Sequence, residues 1–198
     1  MKINNDQRHV VIDSLVEEFG GVGHLRDRRI AVLGLAFKDN TDDMREAPAI
    51  DIINWLIEAG ANVRVFDPVA METAQLIQPQ WQVTYCLDAY DAARGCDAVI
   101  VVTEWKQFRE LNMSQLLETM RPREGGTVFI DGRNLYDPAE MARVGFAYHG
   151  IGRGMQRRNG RNNGNRNGSL AVSQRTKQAE NSVPAHAVNS KLSNSVPK

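Results

Sequence analysis

Residues 29–48 constrain the fold of this chain more than any other stretch. Ile30-Ala31-Val32-Leu33 is an uninterrupted apolar run that Gly34 breaks, residues that are polar or charged except Met44 follow from Lys38 to Glu46, and a helical pattern opens at Ala47-Pro48. A buried strand, a loop and a helix in that order make the first half of a β-α-β unit. In open sheets built from such units, ligands bind where loops leave the carboxyl ends of the strands, so Phe37, Lys38 and Arg45 stand where a ligand is expected. The loop is not the dinucleotide fingerprint: Leu35 and Ala36 follow Gly34, and the G-x-G-x-x-G spacing that lets backbone approach a pyrophosphate is missing. A cation at position 38 can meet an anionic ligand by charge instead. Spacing alone leaves a surface lysine and arginine on an ordinary loop equally open.

The rest of the body continues the alternation. Asp6 to Phe19 carries Val10, Val11, Ser14, Leu15 and Glu18 at helical spacing and stops at Gly20-Gly21. Strand Arg29 to Leu35 leads to a helix from Ala47 to Ala59, with Pro48 suited to a first turn where its missing N–H is not needed. Asn62 to Phe66 reads as a second strand, Val69 to Ile77 as a short helix, Gln82 to Tyr85 as a weak strand and Asp88 to Arg94 as a helix closed by Gly95. Ala98 to Val102 is a continuous apolar block of the kind found in central parallel strands. Ser114 opens a helix from Gln115 to Met120, Thr127 to Ile130 is a strand, and Pro138 to Val144 a last helix. These elements predict an α/β fold, a doubly wound parallel sheet of Rossmann-like type, preceded by one helix.

The formal net charge of zero conceals an asymmetry. From Arg153 onward there are nine Lys or Arg and a single acid, Glu180, which leaves the body with fifteen basic and twenty-three acidic residues. The stretch from Arg157 to Gly168 is Arg, Asn and Gly only, and the remainder lacks aromatic residues and apolar periodicity. Such a composition buries too little surface to offset ordering entropy, so 154–198 is expected to be a disordered basic tail. Without an aromatic side chain to stack on bases, nucleic-acid binding is not expected of it. Two cysteines without clustered spacing point to a reducing compartment and no disulfide framework, and no metal site is expected. No run approaches the ~18 apolar residues of a membrane span, and Met1 to Asp6 has no signal core. The expected location is the cytoplasm.

The wording of the first loop is more specific than its spacing. Leu33-Gly34-Leu35-Ala36-Phe37-Lys38-x-x-Thr41-Asp42-Asp43-x-Arg45-Glu46-x-Pro48 resembles the signature of the UDP-glucose/GDP-mannose dehydrogenases in their C-terminal, UDP-binding domain. Val102-Thr103-Glu104-Trp105, Asp131-Gly132-Arg133-Asn134-Leu135-Tyr136 and Gly145-Phe146-x-Tyr148-x-Gly150-Ile151-Gly152-Arg153 agree with it in order. The resemblance covers residues 4 to 153, and within the family it is most similar to UDP-glucose 6-dehydrogenases. It implies a helix and linker over 1–27, similar to the family's inter-domain helix, and a UDP-sugar-binding domain over 28–153. Phe37, Lys38 and Arg133 match positions that contact the UDP-sugar, and Arg45 matches one that reaches NAD in a neighbouring subunit, which implies a homo-oligomer.

Those enzymes oxidise the C6 alcohol of the sugar to a carboxylate with two NAD, through an N-terminal NAD-binding domain and a reactive cysteine in a Gly-rich segment. Neither Cys86 nor Cys96 has a glycine cluster or a histidine beside it in sequence, and both read as small buried hydrophobes. The implied function is the nucleotide-sugar-binding part of an NAD-dependent UDP-glucose 6-dehydrogenase, making UDP-glucuronate. No catalytic residue is expected in this chain; the NAD-binding half comes from another chain or a full-length homologue. A non-catalytic nucleotide-sugar-binding or regulatory subunit, or a truncated remnant, is the alternative. Asp67 ends a strand where a Rossmann unit binds ribose, but without the glycine fingerprint it reads as a structural aspartate.

Overall fold

A computed structural model of the chain describes residues 2–152; the tail expected over 154–198 lies outside the described residues. Helix α1 (Lys2–Phe19) and a 3-10 turn (Val22–Leu25) come first. Then follow β1 (Arg29–Leu33), α2 (Pro48–Glu58), β2 (Asn62–Phe66), α3 (Met71–Ile77), β3 (Val83–Tyr85), α4 (Ala89–Ala93), β4 (Ala98–Val101), α5 (Lys106–Arg109), α6 (Met113–Thr119), β5 (Thr127–Asp131), α7 (Pro138–Val144) and β6 (Phe146–Gly150). All six strands are parallel in the order β3-β2-β1-β4-β5-β6. Strand order reverses between β1 and β4, and that is the place where an open α/β sheet offers a crevice.

Burial explains why these runs are strands. Ile30 to Leu33, Ala98 to Val101 and Val128 to Ile130 are essentially inaccessible, as parallel strands covered on both faces must be. Helix α2 turns Ala49, Ile52, Ile53 and Leu56 into the core, with Pro48 at its first turn; each large side chain so buried contributes roughly 1.5–3 kcal/mol. Asn112, not Ser114, caps α6, its side chain accepting the Gln115 N–H at 3.1 Å. An amide oxygen in β conformation just before the first turn is a better acceptor than a serine already inside the helix.

Helix α1 packs on α2 and β5 and is held at both ends. Near its start the Arg8 guanidinium pairs with Asp51 of α2 and donates to the Glu46 carbonyl at 3.1 Å. Near its end the buried Glu18 carboxylate meets Arg123 at 2.6 Å and His149 of β6 at 2.9 Å. The guanidinium groups of Arg28 and Arg123 each lie over the ring of Phe19 next to it, 5.4 and 5.2 Å from the ring centre. Among the described residues no helix is long and apolar enough to cross a membrane.

Candidate functional site

Three loops meet at the carboxyl edge beside the strand-order reversal. Gly34 leaves β1 with φ +94°, and a Cβ there would stand 2.5 Å from the Thr103 Cβ. Only glycine lets the β1 and β4 loops touch at this point. Thr103 uses the closeness: its hydroxyl donates to the Ala36 carbonyl at 2.6 Å, fully buried.

Asp67, at the end of β2, is the hub beneath these loops. One carboxylate oxygen accepts the Leu35 N–H at 2.7 Å, the Ala36 N–H at 3.2 Å and the Trp105 indole N–H at 3.1 Å. The other accepts the N–H groups of Val69 and Ala70 at 2.9 and 2.8 Å. In dinucleotide-binding units the loop after β1 offers its N–H groups to a pyrophosphate. Here a resident carboxylate takes them. Asp67 is thus structural, and the loop does not fit NAD at the customary place.

Phe37 and Lys38 follow on that loop. Phe37 is 42% exposed, an unusual position for a large ring. Lys38 is also exposed and makes no ion pair among the described residues. The loop closes through the Phe37 N–H to the Asp43 carbonyl at 2.8 Å. Arg45 is 89% exposed and grips the Asp43 carboxylate with two nitrogens, at 2.9 and 2.7 Å. That side-chain hydrogen bond, with the Arg45 backbone N–H, lowers the Asp43 pKa to about 2. A depressed carboxyl favours the folded loop above its ordinary pKa, and the preference disappears as pH falls through about 2.

Arg133 leaves the neighbouring strand β5. The Asp131 carboxylate, completely buried, accepts the Arg133 N–H, the Tyr136 N–H and the Tyr148 hydroxyl and so fixes the start of this loop. The Arg133 side chain reaches back to Glu104, after β4, at 2.8 Å. Arg109 of α5 meets the other Glu104 oxygen at 3.3 Å. Because β1 and β5 flank β4 at one register, Leu33 and Asp131 each pairing with Val101, their ends stand about 10 Å apart. Lys38 and Arg133 thus leave one sheet edge on either side of β4, whereas Arg45 lies further along the loop, on α2's approach. Below the edge, α1 and α2 leave a cavity of about 10 Å³ lined by Arg8, Val11, Pro48, Ile52, Val102 and Gly132, room for a water at most.

From sequence alone, Glu104 and Trp105 suit loop packing and ligand contact equally well. Trp105 anchors the loop and Glu104 binds two arginines. The pairing of Glu104 with Arg109 was not legible, because α5 is a single turn whose position comes from the fold. Both thiols are buried; burial pushes the Cys86 pKa up from its ordinary value, and raises that of Cys96 to about 12. Neither carries a thiolate near neutral pH. Among the described residues no group of three or more His, Cys, Asp or Glu side chains could hold a metal ion.

The fold and site define a nucleotide-fold domain whose dinucleotide cradle is closed and whose cations come from side chains. The sequence matches the UDP-glucose/GDP-mannose dehydrogenase family, UDP binding domain, over residues 31–138, and the chain belongs to that family. It is 40% identical to a UDP-glucose 6-dehydrogenase of Bacillus subtilis over 77% of this chain and 32% of that one. It is likewise 40% identical to a UDP-glucose 6-dehydrogenase of Pseudomonas aeruginosa, over 76% and 33%. Among solved structures, a UDP-glucose dehydrogenase from Pyrobaculum islandicum superposes with a TM-score of 0.61 at 35% identity, covering 76% of this chain and 30% of that one. The chain therefore spans about a third of the length of these relatives.

Proposed function

We propose that the chain is the nucleotide-sugar-binding part of an NAD-dependent UDP-glucose 6-dehydrogenase. Its two edge cations, Lys38 and Arg133, hold the ligand's diphosphate and hydroxyl groups, and Phe37 borders them. One observation carries this reading: the backbone cradle is filled by Asp67, so anion binding falls to side chains, and two cations flank β4 at the ligand-facing edge. A guanidinium offers paired planar donors and an ammonium a mobile point charge, which together suit a diphosphate. NAD binding and the reactive cysteine belong outside these 198 residues, and the complete cytoplasmic enzyme converts UDP-glucose and two NAD to UDP-glucuronate. Arg45, exposed on the same loop, reaches NAD held by a neighbouring subunit of the oligomer.

Calorimetric titration with UDP and UDP-glucose, on the chain alone and with the NAD-binding half of a relative added, tests the assignment. Lys38→Ala and Arg133→Ala should each weaken binding roughly ten- to hundredfold, as loss of a charge-assisted hydrogen bond does. Equal binding by wild type and both variants would place the ligand elsewhere.

A further inference from the structure

Glu104 sets a puzzle that the core does not answer. It is a half-exposed carboxylate at a site expected to attract anions, yet the backbone on both sides of it is secured by buried polar groups. Thr103 before it is tied to the Ala36 carbonyl, and Trp105 after it to the Asp67 carboxylate. From that fixed origin its two oxygens separate the work, one on Arg133 at 2.8 Å and one on Arg109 at 3.3 Å. The bond to Arg133 crosses from β5 toward β4 and so toward the reversal point, on whose other side the loop after β1 carries Lys38. Arg133 retains 23% of its side-chain exposure. Among the described residues its guanidinium is hydrogen-bonded to Glu104 alone, which leaves further donors for a ligand.

We propose that Glu104 is a positioning residue: anchored by Arg109, it draws the Arg133 guanidinium in toward β4 and holds it ready for the diphosphate of a nucleoside-diphosphate ligand. This rests on the nucleotide-sugar reading of the site. The charges permit it, because two arginines on one carboxylate leave the triad with one net positive charge, to which Lys38 adds another. Glu104 lowers the attraction for an anion but removes the ordering cost of a long side chain that otherwise samples solvent.

The decisive measurement is a double-mutant cycle on the full chain, with UDP as the probe and calorimetry as the readout. Glu104→Gln should weaken UDP binding about three- to tenfold, matching the cost of immobilising one flexible side chain. On an Arg133→Ala background the same change should cost nothing further. Arg109→Gln, which frees the carboxylate from its outer anchor, should give a smaller loss of the same sign. Unchanged or tighter binding by Glu104→Gln overturns the proposal, and so does an equal loss on the Arg133→Ala background. If Glu104→Gln does not fold, the absence of any loss in Arg109→Gln overturns it. If wild type binds neither UDP nor UDP-glucose, the nucleotide-sugar reading fails separately. The Arg133 Nε–H resonance in the free chain then decides: a shift toward solvent-exposed arginines in Glu104→Gln sustains the positioning role, and an unmoved signal removes it.

Discussion

At the scale of single residues, the charged groups of this domain divide into those the fold consumes and those it leaves facing outward. Asp67 belongs wholly to the first kind. Both its oxygens face N–H donors, so an amide in its place directs an NH2 group at other donors and leaves one or more unpaired. Asp67→Asn is expected to lower the unfolding free energy by about 3 kcal/mol, read as a fall in the urea midpoint at unchanged slope. A loss below half a kilocalorie would mean that the loops do not depend on the carboxylate. Lys38 belongs to the second kind, and Arg133 stands between, partnered on one edge only. Sequence alone singles out Phe37, Lys38, Arg45 and Arg133 as candidates because their positions relative to strand ends follow from local pattern and resemblance. It did not reveal that Arg133 joins Glu104 and Arg109 on one carboxylate, since Arg133 lies on the loop after β5 and meets Glu104 only after the sheet has formed.

At the scale of elements, the buried polar cluster of Glu18, Arg123 and His149 fastens α1 to the far edge of the sheet. Removing one partner of a buried pair leaves an uncompensated charge, so Glu18→Ala should cost on the order of 3 kcal/mol. The loss should concentrate in α1, and hydrogen exchange at Val11 and Leu15 should accelerate more than at Val99 or Ile100. Uniform acceleration would show that the cluster supports the whole core rather than the helix. Most elements were legible from periodicity: β2 and α7 have the boundaries that the sequence predicts, and β1, α2 and β4 differ by one or two residues. The misses have physical causes. Strand β6 reads Phe146-Ala147-Tyr148-His149-Gly150, without a β-branched residue and with glycine at its end. Its extended form comes from pairing with β5 and from the ring contacts of Phe146 and Tyr148 on Phe129, 5.2 and 6.2 Å between ring centres. Helix α1 begins at Lys2, earlier than the Asp6 that its apolar spacing suggests, because the polar first turn leaves no periodic mark.

At the scale of the whole molecule, sheet order is that of a dinucleotide-binding fold while the chemistry of the first loop is not. The chain should therefore neither bind NAD nor reduce it with UDP-glucose present, and absorbance of NADH should stay at baseline with either cysteine replaced or intact. NADH formed by the purified chain and unaffected by both cysteine replacements would demand a reaction that the family does not use. The reason lies in Asp67. A carboxylate built into the chain and already aligned with its donors competes as though it were present at a concentration no free solute can reach. Free dinucleotide, a solute, is therefore not expected to outcompete it. Glycines introduced at positions 35 and 36 would make space for a pyrophosphate and leave the competitor in place. Removing the competitor would release Trp105 and the loop that carries Glu104, so dinucleotide affinity could be gained here only by dismantling the edge that holds the cations.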